Sequence, residues 1–297
     1  MTTTAEQRVD EILQREAQRR ARRAGDLGGR SLSFEGGAAS AGLGGQRVLV
    51  AEGDSWFDYP GTDVLNELEE RGWDVHSVAH RGDTLEDMAY GPKQLDGLSR
   101  KLQRLAERAQ RPRSVLISAG GNDLAGEEFR LLLDHANSAE PGLNEDIVRG
   151  LIDVRLRRAY ERLIETIDAL HRRHFGQPTP QFVLHSYAYP VPDGRGFWGG
   201  WGPLPGPWLE PGFKNRNFLS LEENTGTMRL LIDRFHAMLE AMIEDQDRRI
   251  VLLDLRETLT NILDQEAYLA DWNDELHPED DGFRRIALEF ERGIEGG

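Results

Sequence analysis

Four short stretches of this sequence hold residues suited to one kind of chemistry, the transfer of an acyl group. Ser55 stands in Glu52-Gly53-Asp54-Ser55-Trp56-Phe57, directly after an apolar run. Asp274 and His277 stand three residues apart in Asp274-Glu275-Leu276-His277-Pro278, near the C-terminus. Asn122 closes Ala119-Gly120-Gly121-Asn122, and Gly82 is the lone glycine of His80-Arg81-Gly82-Asp83-Thr84. A serine hydroxyl is a poor nucleophile until an imidazole accepts its proton, and the imidazole needs a carboxylate to fix its tautomer. The spacing of Asp274 and His277 lets them bond each other within a loop while His277 reaches Ser55. Charge developing on the acyl oxygen needs donors already in place, a task for the backbone amides of Ser55 and Gly82 and the side-chain amide of Asn122. Taken singly, each stretch has an ordinary explanation: Gly-Asp-Ser suits a turn, Asn122 a turn cap and His277 a surface loop.

The elements between these stretches decide whether they can meet. Val48 to Ala51 and Ser114 to Ser118 are apolar runs that read as buried strands, and Trp73 to Ala79, Phe182 to Leu184 and Ile250 to Leu253 read as the second, fourth and fifth strands. Helical patterns fall between them: Asp63 to Arg71, a helix opening at Thr84, Leu95 to Gln110, Ile147 to Phe175 and Met228 to Glu244, with a last helix near Asp281. Strands alternating with helices predict right-handed β-α units with helices on both faces of a parallel sheet. Ser55, Gly82 and Asn122 then follow the first, second and third strands, and Asp274 and His277 lie beyond the fifth. All fall at the carboxyl ends of strands, where open α/β sheets build their sites.

In this order the four stretches resemble the four blocks of the SGNH (GDSL-type) serine hydrolases, over roughly Gln46 to Gly297 apart from the aromatic stretch Tyr187 to Phe218. The resemblance implies a flavodoxin-like three-layer α/β/α sandwich with a five-stranded parallel sheet in the order 2-1-3-4-5. It implies hydrolysis of carboxylic esters, thioesters or sugar-linked acyl groups without metal or cofactor. Carried over by position, Ser55 is the nucleophile, Gly82 and Asn122 are oxyanion donors, His277 is the base and Asp274 its orienter. The first block departs at Trp56, where leucine is common, and Trp56 is expected to shape the acyl pocket. The activity expected is that of an esterase or lipase-like enzyme; removal of acetyl groups from a polysaccharide and a non-catalytic interaction module are the alternatives.

Composition narrows the partners. The net charge of −16 over 297 residues argues against nucleic acid, whose phosphates need a basic surface. Without cysteine there is no disulfide framework or Cys-ligated metal. No stretch approaches the roughly 18 apolar residues that span a bilayer, and the N-terminus lacks the apolar core of a secretory signal, so a cytoplasmic protein is expected. Residues 1–45 read as a charged helix, with Arg15, Arg19, Arg20, Arg22 and Arg23, followed by a Gly/Ser/Ala-rich linker; the basic cluster is a candidate for docking to a partner or surface.

An aromatic, Gly/Pro-rich insertion from Tyr187 to Phe218 leaves the fourth strand at the same rim and is expected to form a lid or an acyl-binding wall. Its Trp198 and Trp201, with Trp56 and His80, are the expected substrate contacts. His171, His174 and His185 invite a metal reading, but a three-residue spacing at a helix end suits a solvated face better. The run Glu279-Asp280-Asp281 reads as a helix N-terminus, since it lacks the alternating ligands of a calcium loop.

Overall fold

Five parallel strands carry the fold in a computed structural model that describes residues 47–197, 204–245 and 249–296. They are β1 (Val48–Gly53), β2 (Asp74–Ser77), β3 (Ser114–Ser118), β4 (Phe182–His185) and β5 (Ile250–Leu253). The sheet order is β2-β1-β3-β4-β5, the expected 2-1-3-4-5. The register sets Gly53 beside Ser118 and His185 beside Leu253, so neighbouring strands deliver their carboxyl ends to one rim. Strands β1, β3 and β4 are buried at every position, with apolar cores and polar residues only toward their ends.

The helices are α1 (Val64–Glu70), α2 (Leu85–Tyr90), α3 (Pro92–Glu107), α4 (Arg157–Phe175), α5 (Leu221–Glu244) and α6 (Asp280–Gly296). α1 and α6 pack together over one face of the sheet; α2 and α3 pack against α4, and α4 against α5, over the other. The result is a three-layer α/β/α sandwich. Local sequence starts the helices where the site needs them. Asp63 caps α1 by accepting from the Asn66 amide at 2.7 Å. Thr84 and Asp87 form a reciprocal capping box on α2, immediately after Gly82.

Two expectations change in detail. The path from Ile147 to Phe175 is helical but not uniform: a short helix Glu145–Arg149 widens to a π segment at Gly150–Leu156 before α4 begins. Gly150 is a poor helix former and relaxes the turn there. The insertion is also not all loop, because Glu210–Asn215 is helical, with Phe213 buried edge-on against Phe129 at 4.9 Å. The expected N-terminal helix and linker, residues 1–45, lie outside the described residues, as do Trp198 and Trp201. Among the described residues no helix is long and apolar enough to cross a membrane.

Candidate active site

β1 ends at Gly53, where no larger residue fits. A Cβ there would stand 2.7 Å from the Phe57 ring and 3.0 Å from Ser118. The chain turns at once, with the Phe57 amide donating to the Asp54 carbonyl at 3.1 Å, and Ser55 sits at the apex above the end of the strand. Asp54 pins that turn: its buried carboxylate accepts from the Ser118 hydroxyl at 2.8 Å, the Trp56 amide at 3.0 Å and the Tyr187 hydroxyl. One side chain thus joins the ends of β1 and β3 to the segment after β4. Burial raises the Asp54 pKa, opposed by these donors.

The C-terminal loop crosses the same rim. An isolated bridge between Trp272 and Pro278 closes it, and the Asn273 amide donates to the His277 carbonyl at 2.9 Å. This brings His277 Nδ1 to 2.8 and 3.0 Å from the two oxygens of Asp274, and His277 Nε2 to 2.8 Å from Ser55 Oγ. Asp274 is fully buried and also accepts the amides of Leu276 and His277, both at 2.9 Å. With Nδ1–H directed at the carboxylate, the lone pair of Nε2 faces the serine. The line of atoms can carry a proton from Ser55 Oγ to His277.

The other expected residues lie around this line. Asn122 shares the pocket wall with Ser55 and donates from Nδ2 to the Asp83 carbonyl at 2.9 Å, leaving the second hydrogen of its amide group for another acceptor. That bond holds the loop of Gly82, which takes a φ of +85°, open to glycine at no steric cost. Asp123, beside Asn122, accepts from the Leu85 amide at 2.8 Å and fastens the segment after β3 to the start of α2; burial pushes its carboxyl up to about 6. Among the described residues, the amides of Ser55 and Gly82 donate to no protein acceptor.

Trp56 does line the pocket, and it is also a strut. It stacks on His185 at 5.4 Å and donates from its indole to the Leu276 carbonyl at 3.0 Å, tying the nucleophile turn to the His277 loop. His80 differs from expectation. Its amide donates to the Gly53 carbonyl at 2.9 Å, while its imidazole is 62% exposed, lies 3.4 Å from Asp83, and is not among the residues lining the pocket. A strand-end histidine whose backbone completes the ladder has its side chain free for solvent.

The three histidines that raised the metal question are separated. His171 bonds the Gln177 carbonyl at 2.8 Å, His174 faces Ser99 at 3.3 Å, and His185 lies buried under Trp56 with its pKa pushed down to about 4 by burial. Among the described residues no group of three acidic or imidazole side chains is arranged to hold a metal ion.

Two further residues near the imidazole did not stand out in the sequence. Tyr59 stacks on His277 at 4.4 Å and donates to Asp274 at 3.2 Å, and its own pKa is raised by burial and by that carboxylate. Glu275 is wholly buried and accepts four backbone amides from the insertion; burial pushes it up to about 7 against their pull. Its proximity to the motif in sequence gives no sign of partners that stand 65 to 81 positions away.

The pocket that opens beside Ser55 is apolar, with Leu124, Ala125, Leu209, Met228 and Ile232 among its walls and a cavity of about 40 Å³. Tyr187 and Leu209 come from the insertion, which therefore builds part of this wall.

No protein-family model and no curated protein matches the chain in sequence. Similar solved structures include an extracellular lipase from Streptomyces rimosus, with 15% identity over 83% of this chain and 99% of the lipase and a TM-score of 0.48. They also include a variant of an acetyl-xylooligosaccharide esterase from Geobacillus, 15% identical over 83% of this chain and 93% of that one, TM-score 0.46. A GDSL-like lipase from Bacteroides thetaiotaomicron is likewise similar, 15% identical over 87% of this chain and 93% of the other, TM-score 0.44.

Proposed function

We propose that the protein is a serine hydrolase that cleaves carboxylic esters of short acyl chains through an acyl-enzyme. The observation that carries this reading is the unbroken line Asp274–His277–Ser55, with 2.8 Å between imidazole and hydroxyl at the mouth of an apolar pocket. Ser55 Oγ attacks the acyl carbon as His277 Nε2 takes its proton. The tetrahedral oxyanion receives the free amides of Ser55 and Gly82 and the remaining hydrogen of Asn122 Nδ2. The carbon–oxygen bond to the alcohol breaks, and His277 returns the proton to the leaving oxygen. Water then adds to the acyl carbon by the same route, releasing the acid and restoring the serine.

The pocket supports a short acyl group. About 40 Å³ of space beside Ser55 compares with roughly 10–15 Å³ of the same kind for one water, which favours chains of a few heavy atoms. Among p-nitrophenyl esters, acetate and butanoate should give the highest kcat/KM, with a fall at octanoate. Met228→Ala, which removes bulk from that wall, should move the optimum toward hexanoate. An optimum at long chains in the unaltered protein would place the acyl group elsewhere.

Asn122→Ala tests the oxyanion assignment. Loss of a single donor of this kind lowers kcat by about 10² to 10³ with little change in KM. Asn122 also holds the Asp83 carbonyl, so the thermal midpoint should be recorded beside the kinetics. A loss of less than tenfold in a folded variant would remove Asn122 from that role.

A further inference from the structure

Between Asp274 and His277 lies a carboxylate that takes no part in the proton path. Glu275 is fully buried, and its two oxygens are divided among four main-chain donors. Oε1 accepts from Gly194 at 3.0 Å and Glu210 at 2.9 Å; Oε2 accepts from Trp208 at 2.6 Å and Leu209 at 2.7 Å. The loop answers in kind: the Glu275 amide donates to the Arg195 carbonyl at 3.2 Å, and the Arg195 guanidinium donates to the carbonyls of Trp272 at 2.8 Å and Asn273 at 3.1 Å. A segment rich in glycine and proline has no ladder or long helix to satisfy its buried amides. One carboxylate does so for four of them.

The insertion reaches the chemistry at two adjacent residues. The Trp208 ring stands edge-on to His277 at 5.3 Å, on an imidazole already stacked on Tyr59. Leu209, the next residue, projects into the pocket beside Ser55. The amides of both residues end on the same oxygen of Glu275.

We propose that Glu275 is a positioning residue that sets the acyl-pocket wall and the His277 imidazole in one register, so that a single carboxylate governs both turnover and acyl-length preference. The proposal rests on the ester-hydrolase reading above. Glu275 touches neither substrate nor the reacting atoms; it acts through Trp208 and Leu209.

Glu275→Gln is the direct test. The amide keeps the size of the side chain but offers one acceptor oxygen to four donors and sets its own N–H groups against two of them. The variant should lose about 10²-fold in kcat, the scale of a catalytic group misplaced by about 1 Å, and its kcat/KM ratio between hexanoate and acetate esters should rise as the Leu209 wall relaxes. A residue that merely held the fold would lower the thermal midpoint and leave both readouts unchanged well below it. A folded Glu275→Gln protein with unaltered kcat and an unaltered acyl profile overturns the proposal.

Should that variant fail to fold, Trp208→Phe and Leu209→Ala retain the backbone amides and separate the two effects. The first is expected to lower kcat without moving the acyl profile, and the second to move the profile toward longer chains. Silence of both overturns the proposal. Absence of ester cleavage and of fluorophosphonate labelling at Ser55 in the unaltered protein is a different result, which ends the hydrolase reading itself.

Discussion

Ser55→Ala is expected to lower kcat for a short-chain aryl ester by about 10⁶-fold, the scale seen when a triad serine is removed. The residue has no substitute: its hydroxyl is bonded to His277 at 2.8 Å, and without it the imidazole has only water to activate. What remains is binding and the oxyanion donors, which on their own sustain about 10³- to 10⁴-fold over the uncatalysed rate. The fold should be indifferent to the change. The strand end is held by Asp54, Ser118 and Tyr187, none of which bonds the Ser55 side chain. Stopped-flow release of p-nitrophenol should show a burst of one equivalent in the parent and none in the variant, at equal circular dichroism and within about 1 kcal/mol in stability. More than about a thousandth of the parent rate in a folded variant, an allowance made against the 10⁶-fold loss, would mean that another group attacks the ester.

The proximity of Ser55 and His277, 222 positions apart, was legible because the sheet does the bringing together. Four largely apolar runs and the more polar edge strand Asp74–Ser77, each four to six residues long and followed by glycine or polar residues, dictate parallel strands separated by helices. Parallel strands with right-handed crossovers place every strand's carboxyl end on one rim. Ser55, Gly82 and Asn122 needed only to follow such runs to arrive at the same edge. The three-residue spacing of Asp274 and His277 was similarly readable, since a closed loop of that length puts the carboxylate within reach of Nδ1.

What surrounds that line was less legible, because it depends on side chains meeting from remote segments. Tyr187 stood out only as one aromatic among many, yet its hydroxyl ends on Asp54. Trp56 gave no sign that its indole N–H would be taken by the Leu276 carbonyl. His80 showed the reverse error. Its place after β2 was foreseen, but periodicity does not encode the contact of its exposed imidazole with Asp83 at 3.4 Å. Buried carboxylates are the hardest case: Glu52 occupies a position that the strand pattern reserves for an apolar side chain, and its cost becomes visible only as a property of the folded protein.

That cost yields a large dependence of stability on pH. Glu52 is 1% exposed on β1, accepts only the Gly53 amide at 3.1 Å, and feels the negative charge of Asp83. Burial first, and Asp83 to a lesser extent, push its carboxyl from 4.5 up to about 8. Between those two pH values the folded protein holds a proton that the unfolded chain has released, so stability falls as pH rises through the window. At about 1.4 kcal/mol per pH unit, the full interval corresponds to about 5 kcal/mol. Asp123 and Glu275, pushed up to about 6 and about 7, act in the same direction but are spent by pH 7. His185, pushed down from 6.5 to about 4, acts in the opposite direction and only below 6.5. The interval from pH 7 to 8 therefore belongs mainly to Glu52. Glu52→Gln retains an acceptor for the Gly53 amide and cannot ionise. Its unfolding free energy from urea titration should match the parent near pH 4.5 and exceed it increasingly as pH rises from there, by an amount approaching 5 kcal/mol at pH 9. Parallel curves for the two proteins would show that Glu52 ionises freely in the folded state. The same neutrality suits the chemistry proposed for this rim, because the Asp83 loop that senses Glu52 also carries Gly82 and receives Asn122. A negative charge beneath donors that must hold an oxyanion would oppose the transition state, and burial keeps that charge off Glu52 through neutral pH.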